Sequence, residues 1–241
     1  MKTRIFHLLT VALALPLQVW AETPPNFQPS TDNRLAVAYN STTVTPNQLF
    51  QPAAIANAPT VSYNRTLQGP YMIAMFDLSI TYADFAGPTT DLVPGLGTNT
   101  TTYLHWLRTN VTQTPGAVLG GSANDTAAYV SPAPPATDAP HTYILYLFPQ
   151  PTNFTLPAVD AGRNLSAGSM NRYNFSIQAL ADAAGQPVAA NYFRATSMPT
   201  NSTTNGTTSP GVQPSTGSAA SFKSSVWFTT VAVAVGIVMA M

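Results

Sequence analysis

The chain has 241 residues, with nine basic and nine acidic residues, three histidines and no cysteine. The absence of cysteine excludes disulfides, thiolate chemistry and cysteine-ligated metal sites, so the fold must be stabilised by its core alone. A formal net charge of zero without a basic patch argues against nucleic acid as a partner.

The N-terminus predicts a secretory signal peptide over residues 1–21. Lys2 and Arg4 precede an apolar run that is too short to span a membrane, and residues 19–21 resemble a small-x-small cleavage site. Cleavage there would begin the mature chain at Glu22. Loss of this segment and of a C-terminal tail would leave six arginines against nine acids, a net charge of about −3.

Residues 22–196 predict one domain built mainly from strands. Runs of aromatic, aliphatic and β-branched residues between turn residues mark the predicted strands, which cover residues 35–39, 61–64, 71–78, 103–111, 141–148 and 187–194. One helix is predicted after Asn174, a plausible N-cap, and Gly185 is its predicted end. We therefore expect an antiparallel, mostly β fold with a minor helix.

Strand alternation positions the residues that carry chemistry. Tyr71 and Asp77 share a face, so an acid closes an apolar row at the end of the sheet. In the following strand, alternation predicts that His105 and Trp106 face opposite sides. An acid and an imidazole at strand ends are candidates for a pocket.

The stretch 129–150 joins a proline-rich turn to a strand. The prolines fix φ and remove donors, so the turn is stiff before any ligand binds; they are Pro132, Pro134, Pro135 and Pro140. Alternation places His141 and Tyr143 on one face of the strand that follows. We therefore expect this rigid loop to place an imidazole and a phenol at the opening of one pocket.

The C-terminal residues predict a stalk and a membrane anchor. Residues 197–225 are rich in Ser, Thr, Asn, Gly and Pro, which is typical of a disordered stalk. Residues 226–241 are apolar, short for a spanning helix and followed by no basic residue. Small residues, a spacer and an apolar tail favour a GPI signal over a single spanning helix, with attachment at Ser215, Gly217 or Ser218.

Ten N-x-Ser/Thr sequons occur in the chain, more than chance comfortably supplies. They indicate a glycosylated surface protein, with candidate sites at Asn40, Asn64, Asn99, Asn110, Asn124, Asn153, Asn164, Asn174, Asn201 and Asn205. Asn64, Asn110 and Asn174 lie in or beside predicted elements, so these three are the candidates for unoccupied sites. We expect export through the secretory route and display at the outer face of the plasma membrane or in the cell wall.

The chain resembles the phosphatidylethanolamine-binding protein family, also called the Raf kinase inhibitor and flowering-locus family, over about residues 35–196. The resemblance rests on five pieces in order. They are the strand ending in Asp77, the run Leu104-His105-Trp106-Leu107 with Asn110 behind it, Tyr129-x-x-Pro132-x-Pro134-Pro135, His141-x-Tyr143 with Leu147-Phe148-x-Gln150, and residues 187–193.

The resemblance implies a large antiparallel sheet packed on a smaller one, and a small pocket for phosphate, acetate or a phospholipid head group. Its residues carry over here as Asp77, His105, Pro134, Pro135, His141 and Tyr143. Two imidazoles and a phenol can donate to an oxyanion, while prolines wall the pocket without competing donors. Asp77 would orient one imidazole and raise its pKa.

Two departures from the family pattern concern this pocket. The family's Asp-Pro-Asp-x-Pro is replaced by Asp77-Leu78-Ser79-Ile80-Thr81, which lacks the second acid and both prolines. Thr142 follows His141, where the family has arginine. Both changes alter the surroundings of the expected anion site.

Other chemistries find less support in the sequence. Two histidines and Asp77 could hold a metal ion, and Ser131 or Ser79 with His141 and Asp138 could imitate a hydrolytic triad. The sequence has no G-x-S-x-G elbow, H-E-x-x-H motif or phosphate-binding glycine loop. We therefore expect a protein that is not an enzyme and needs no metal or cofactor.

Three functional hypotheses remain open from the sequence. The first is a cell-surface, non-enzymatic binding module for a phosphorylated or carboxylate head group. The second is a regulator that inhibits a serine carboxypeptidase, as some fungal members of the family do, through the segment Glu22–Pro29. The third is a structural cell-wall glycoprotein whose pocket is vestigial.

Overall fold

The computed structural model describes residues 22–81, 100–120 and 123–199. The predicted signal peptide, GPI attachment residues, apolar tail and most of the predicted stalk lie outside these residues, as do the sequons at Asn99, Asn201 and Asn205. No helix within the described ranges is long and apolar enough to cross a membrane.

The described residues form ten strands, one α-helix and two short 3-10 turns. The strands are β1 (Ala36–Tyr39), β2 (Thr42–Thr43), β3 (Gln48–Phe50), β4 (Thr60–Ser62), β5 (Tyr71–Thr81), β6 (Thr100–Gln113), β7 (Leu119–Gly120), β8 (Asn124–Ala127), β9 (His141–Pro149) and β10 (Ala189–Ala195). The helix α1 covers Ile177–Ala184, and the 3-10 turns cover Pro52–Ile55 and Met170–Arg172. This content confirms the mostly β prediction with a minor helix.

A seven-stranded sheet is the centre of the fold. Its order is β3-β10-β9-β5-β6-β7, with β8 also paired to β6. All of these pairings are antiparallel except that between β3 and β10. A second sheet of three strands, in the order β2-β1-β4, completes the two-sheet arrangement.

Each face of the large sheet carries its own buried core. One face of the large sheet packs against the small sheet. The contact is made by every second residue of β5 and β9, together with Trp106 and Phe193. The other face packs on α1 and the preceding loop, using Phe76, Tyr146 and Phe175 among others. Period-2 alternation on strands buried on both sides explains why β5 and β9 are apolar along nearly their whole length.

The helix begins two residues later than the sequence predicted. Ser176 is the N-cap, because its hydroxyl accepts from the Ala179 N–H at 3.1 Å. Asn174 is held elsewhere, since its side-chain oxygen accepts from Thr101 Oγ1 at 3.0 Å. Gly185 ends the helix with φ of 98°, a conformation that favours glycine.

A β-bulge corrects the expected facing of His105. Met75 pairs with Trp106 and Phe76 with Leu104, so His105 is an extra residue opposite no partner on β5. Because of this bulge, Trp106 and His105 both project to the face that carries Tyr143, whose ring lies 5.2 Å from that of His105. The strict alternation assumed from the sequence was therefore wrong at this point.

The segment ahead of β1 is part of the domain core. Phe27 is 2 % exposed and packs with the residues between the large sheet and α1. Tyr146 donates from its hydroxyl to the carbonyl of Pro29 at 2.6 Å. Residues 22–29 are thus built into the fold, with Pro25 and Asn26 exposed.

Candidate functional site

A cavity of about 220 Å³ opens where β5, β6 and β9 meet the proline-rich loop. All six pocket residues inferred from the sequence line it, which are Asp77, His105, Pro134, Pro135, His141 and Tyr143. These six residues lie on three strands and on the proline-rich loop. Asp77 lies near the end of β5, His105 in the bulge of β6, and His141 and Tyr143 at the start of β9.

Asp77 and His141 form a buried pair at the floor of this cavity. Their Oδ2 and Nδ1 atoms lie 2.8 Å apart, and the two side chains are 3 % and 4 % exposed. The other carboxylate oxygen of Asp77 accepts from the backbone N–H of Ser79 at 2.8 Å. Both oxygens of Asp77 are therefore engaged, which fixes the carboxylate and, through it, the imidazole ring.

A second carboxylate faces the other nitrogen of His141. Nε2 lies 3.5 Å from Oδ2 of Asp138, which sits on the proline-rich loop. Burial alone would lower the pKa of His141, but the hydrogen bonds and charges of Asp77 and Asp138 outweigh it and raise the pKa. Both ring nitrogens of His141 therefore face carboxylates, an arrangement that favours the protonated imidazolium.

His105 has the opposite electrostatic character. Its Nδ1 lies 2.7 Å from the carbonyl oxygen of Val130, which can only accept, so Nδ1 carries a proton. Burial lowers the pKa of His105, although Asp77 and the Val130 carbonyl oppose that shift. Burial therefore favours the neutral ring, in which Nε2 carries a lone pair.

Tyr143 joins the two histidines. Its ring stacks on Phe193 at 5.3 Å and on His141 at 6.4 Å between ring centroids. Burial, followed by the charge of Asp77 and a hydrogen bond to it, raises the pKa of the Tyr143 phenol far above its usual value of 10.0. The hydroxyl remains protonated at any physiological pH and can only act as a neutral donor or acceptor.

These contacts change the donor set expected from the sequence. Both nitrogens of His141 face carboxylates, and the one proton of His105 goes to Val130. The two imidazoles therefore do not act as a matched pair of free N–H donors. The cavity is instead lined by the His141 ring held between two carboxylates, by the ring of His105, and by the phenols of Tyr103, Tyr143 and Tyr173.

The serine arrangement considered from the sequence is not formed. Ser79 uses its hydroxyl to accept the N–H of Thr142 at 2.9 Å. Ser131 lines the cavity, but neither nitrogen of His141 faces a serine hydroxyl. Within the described residues, no cluster of three or more His, Cys, Asp or Glu side chains is arranged to hold a metal ion.

Ser79 and Thr142 show how the chain accommodates its two departures from the family pattern. Ser79 ties the end of β5 to Asp77 through its N–H and to β9 through its hydroxyl. An Asx-type turn at Asp77 is thereby closed without proline. Leu78 is 5 % exposed and belongs to the core on the opposite face of the sheet.

Sequence reasoning missed three residues of the site. Tyr103 and Tyr173 line the cavity, with ring centroids 4.7 Å apart. Arg172 is fully buried behind them and donates to five backbone carbonyls, those of Leu104, His105, Ala128, Leu165 and Ser166. Tyr173 lies in an irregular loop with no periodic pattern, so only its proximity in space identifies it.

Three sequons of the described domain have engaged asparagine side chains. Asn110 accepts from the side-chain amide of Gln150 at 2.8 Å, Asn174 accepts from Thr101, and Asn164 accepts from the backbone N–H of Ser166 at 3.1 Å. Six of the sequon asparagines are exposed, which are Asn40, Asn64, Asn110, Asn124, Asn153 and Asn164. Glycosylation at any of these positions stays a prediction.

The two histidines should titrate on opposite sides of the ordinary value of 6.5. In a histidine-detected NMR titration, we expect the pKa of His141 above 6.5 and that of His105 below it. Because its pKa is raised on folding, His141 stabilises the fold fully below pH 6.5, and this contribution is lost as the pH rises through its folded pKa. His105 has the opposite pH dependence because its pKa is lowered on folding. It stabilises the fold above pH 6.5, and this stabilisation is lost as the pH falls through its folded pKa.

An Asp77→Asn substitution tests the origin of this difference. It removes the negative charge beside His141 while keeping the size of the side chain, so the pKa of His141 should fall. An unchanged pKa of His141 in this variant would show that Asp77 does not hold the imidazolium.

Comparison with known proteins identifies a matching family and a similar protein. The family model described as phosphatidylethanolamine-binding protein matches residues 40–193. A protein of Talaromyces stipitatus, phomoidride biosynthesis cluster protein N, is 28% identical over 218 residues, which cover 78% of this chain and 97% of that protein.

Solved structures are also similar. The phosphatidylethanolamine-binding protein from Plasmodium vivax is 15% identical, with a TM-score of 0.49, over 71% of this chain and 91% of that one. A carboxypeptidase Y inhibitor, solved in complex with its cognate proteinase, is 19% identical, with a TM-score of 0.48, over 69% of this chain and 84% of that one.

Proposed function

Because the chain belongs to the phosphatidylethanolamine-binding protein family, we propose that it is a non-enzymatic binding protein whose pocket takes a small anionic head group. The observation that carries this proposal is the cavity of about 220 Å³ that all six expected ligand residues line, with the buried ring of His141 among them. A buried charge interacts more strongly than an exposed one, so protonated His141 would attract an anion, although Asp77 and Asp138 offset part of that charge.

The size of the cavity limits what can enter it. A volume of about 220 Å³ is smaller than the roughly 300–1,000 Å³ of pockets that enclose drug-sized ligands. A phosphate or carboxylate with a short substituent fits, whereas the acyl chains of a phospholipid would remain outside. We therefore assign the pocket to a head group, free or at the end of a larger molecule.

Binding is favoured over catalysis because the described residues that line the cavity include no activated nucleophile. His141 is held by two carboxylates, and Ser79 is used by the Thr142 N–H. A serine hydrolase would need a histidine nitrogen within hydrogen-bond reach of the hydroxyl. The wall that Pro134 and Pro135 contribute is likewise suited to holding a ligand in place.

An inhibitor of a serine carboxypeptidase is the alternative that the sequence raised, acting through Glu22–Pro29. That mode would need an accessible segment, but Glu22, Thr23, Phe27 and Pro29 are buried. Deleting the segment would remove Phe27 from the core and destabilise the domain. Substituting the exposed Pro25, Asn26 and Gln28 together would test the alternative without that effect, and unchanged inhibition would exclude the exposed part of the segment.

The proposed binding function predicts a dependence on His141. Titrating phosphoethanolamine into the full chain by calorimetry should show binding that weakens about 10- to 100-fold in His141→Ala, since a charge-assisted contact is lost. The exposed Gln186, which does not line the cavity, serves as the control, and Gln186→Ala should bind as the unmodified chain does. Equal affinity in all three proteins, or no binding in any, would refute the proposal.

We also propose that the domain is displayed at the cell surface by a GPI anchor attached at Ser215, Gly217 or Ser218. The support is the sequence pattern of leader, sequons, stalk and apolar tail. Treating intact cells with phosphatidylinositol-specific phospholipase C should release the protein into the medium. Retention on the membrane, together with detection of Met241 in the mature chain, would contradict the anchor.

A further inference from the structure

A second cavity, of about 290 Å³, lies where β6, β8 and the end of β9 meet residues 151–156. None of the side chains that line it is charged, since four belong to threonines and the others to Asn110, Gln150, Phe154 and Leu156. Phe154 and Leu156 are half-buried against the core between the large sheet and α1. The cavity therefore combines hydroxyl and amide groups with an apolar patch, and its lining carries no charge that would attract an ion.

Asn110 is held beside this second cavity in one orientation. Its backbone N–H donates to Oε1 of Gln150 at 2.7 Å, so the amide nitrogen of Gln150 faces the Asn110 side chain and donates to its Oδ1 at 2.8 Å. Within the described residues, no hydrogen bond engages Nδ2 of Asn110, and the residue is exposed, with φ of 56°. Nδ2 is the atom that N-glycosylation modifies, so the pair with Gln150 survives the modification.

Three sequons converge on the second cavity. Asn110 lines it directly. Asn124 lies on β8 on the same face as Thr126, the last residue of its sequon, which also lines the cavity. Asn153 begins a sequon whose other two residues, 154–155, are part of the lining. These sequons belong to separate segments of the chain, and the fold brings them to one face of the domain.

We propose that the second cavity seats the innermost N-acetylglucosamine of a glycan attached to Nδ2 of Asn110. This inference rests on the proposed export through the secretory route and adds a bound saccharide to the domain. The sugar ring carries hydroxyl and acetamido groups at its edge and C–H groups on its faces. The threonine hydroxyls bind its edge, and Phe154 and Leu156 pack against a face.

Attachment needs only the donor that the secretory route supplies, an oligosaccharide linked through a diphosphate to a lipid. Nδ2 of Asn110 attacks C1 of the innermost sugar and loses a proton to a base of the transferase. The bond from C1 to the diphosphate breaks, and the diphosphate leaves with the electron pair. Transfer takes place on the unfolded chain, so the position of Asn110 in β6 does not prevent it. The exposure of Asn110 then lets the folded domain accommodate the product.

The test is the rate at which an endoglycosidase, which cuts between the two innermost sugars, releases each glycan from the full chain made by a eukaryotic secretory host. The control glycans are those on Asn40 and Asn64, which are exposed and do not line the cavity. In the folded protein, we expect release from Asn110 to be at least about tenfold slower, which corresponds to a sugar seated about nine-tenths of the time. After unfolding, the rates should become equal. Equal rates in the folded protein would overturn the inference.

A variant that fills the second cavity locates the source of this protection. Thr152 is exposed, so Thr152→Trp places an indole in the cavity without disturbing the core, and release from Asn110 should become as fast as release from Asn40. Thr60→Trp, at an exposed position that does not line the cavity, should keep the slow release. Slow release that persists in Thr152→Trp would overturn the assignment to this cavity.

The glycan map of the unmodified chain separates this inference from the functions proposed above. Glycans on Asn40 and Asn64 without one on Asn110 would overturn the inference and leave the proposed export intact. A chain without a glycan at any sequon would overturn both. Titrating phosphoethanolamine into the same protein tests the anion-binding function independently, because the two cavities share no lining residue.

Discussion

Replacing Arg172 by methionine should lower the free energy of unfolding by about 3–5 kcal/mol, the largest effect we expect from a substitution away from the cavity wall. The guanidinium is fully buried and donates to five backbone carbonyls. Methionine fills much of the volume but satisfies none of these acceptors. Each buried carbonyl left without a donor costs about 1–3 kcal/mol, partly offset by relaxation and water.

Urea unfolding of the full chain measures this effect. The matched control is Arg65→Met, because Arg65 is exposed and the change should stay within about 0.5 kcal/mol. Arg172 joins β6, the loop at Ala128 and the loop at Leu165, so ligand affinity should also fall in any Arg172 variant that still folds. Equal stability of the two variants would show that the buried contacts of Arg172 are energetically unimportant.

Removing the carboxylate of Asp77 should cost about 3–5 kcal/mol of stability at about pH 6 and abolish measurable anion binding. Asp77→Ala leaves the imidazolium of His141 buried beside only the more distant Asp138. The Ser79 N–H loses its acceptor as well. The stability cost should shrink as the pH rises, because His141 then loses its proton and the unpaired charge disappears.

The control for this prediction is Asp32→Ala. Asp32 is exposed, and a surface substitution of this kind should change the free energy of unfolding by no more than about 0.5 kcal/mol. Adding His141→Gln to Asp77→Ala removes the unpaired charge and should restore part of the lost stability. A cost for Asp77→Ala that matches Asp32→Ala, or one that is independent of pH, would contradict the buried ion pair.

The resemblance of the sequence to a known family predicted the two-sheet fold, and the six residues expected to bind a ligand line one cavity. Alternation along β9 correctly assigned His141 and Tyr143 to a common face, because a strand buried on both sides keeps its period over its whole length. Apolar runs, proline turns and the helix end at Gly185 are local signals, and they survive in the structure.

The sequence could not predict features that depend on contacts between distant segments. The bulge at His105 follows from the pairing of β6 with β5 and has no marker in its own strand. Arg172 is one arginine at the end of a short 3-10 turn, and only the fold brings the carbonyls of β6 to it. The tautomer of His105 likewise depends on the position of Val130, 25 residues away.

The most direct test of this cavity as the binding site is a histidine-detected NMR titration with phosphoethanolamine, because His105 and His141 both line the cavity. We expect both ring signals to shift together, to reach saturation with a single dissociation constant, and to stop responding in Asp77→Ala. Ring signals that stay unchanged while phosphoethanolamine binds elsewhere on the chain would contradict the assignment of this cavity as the binding site.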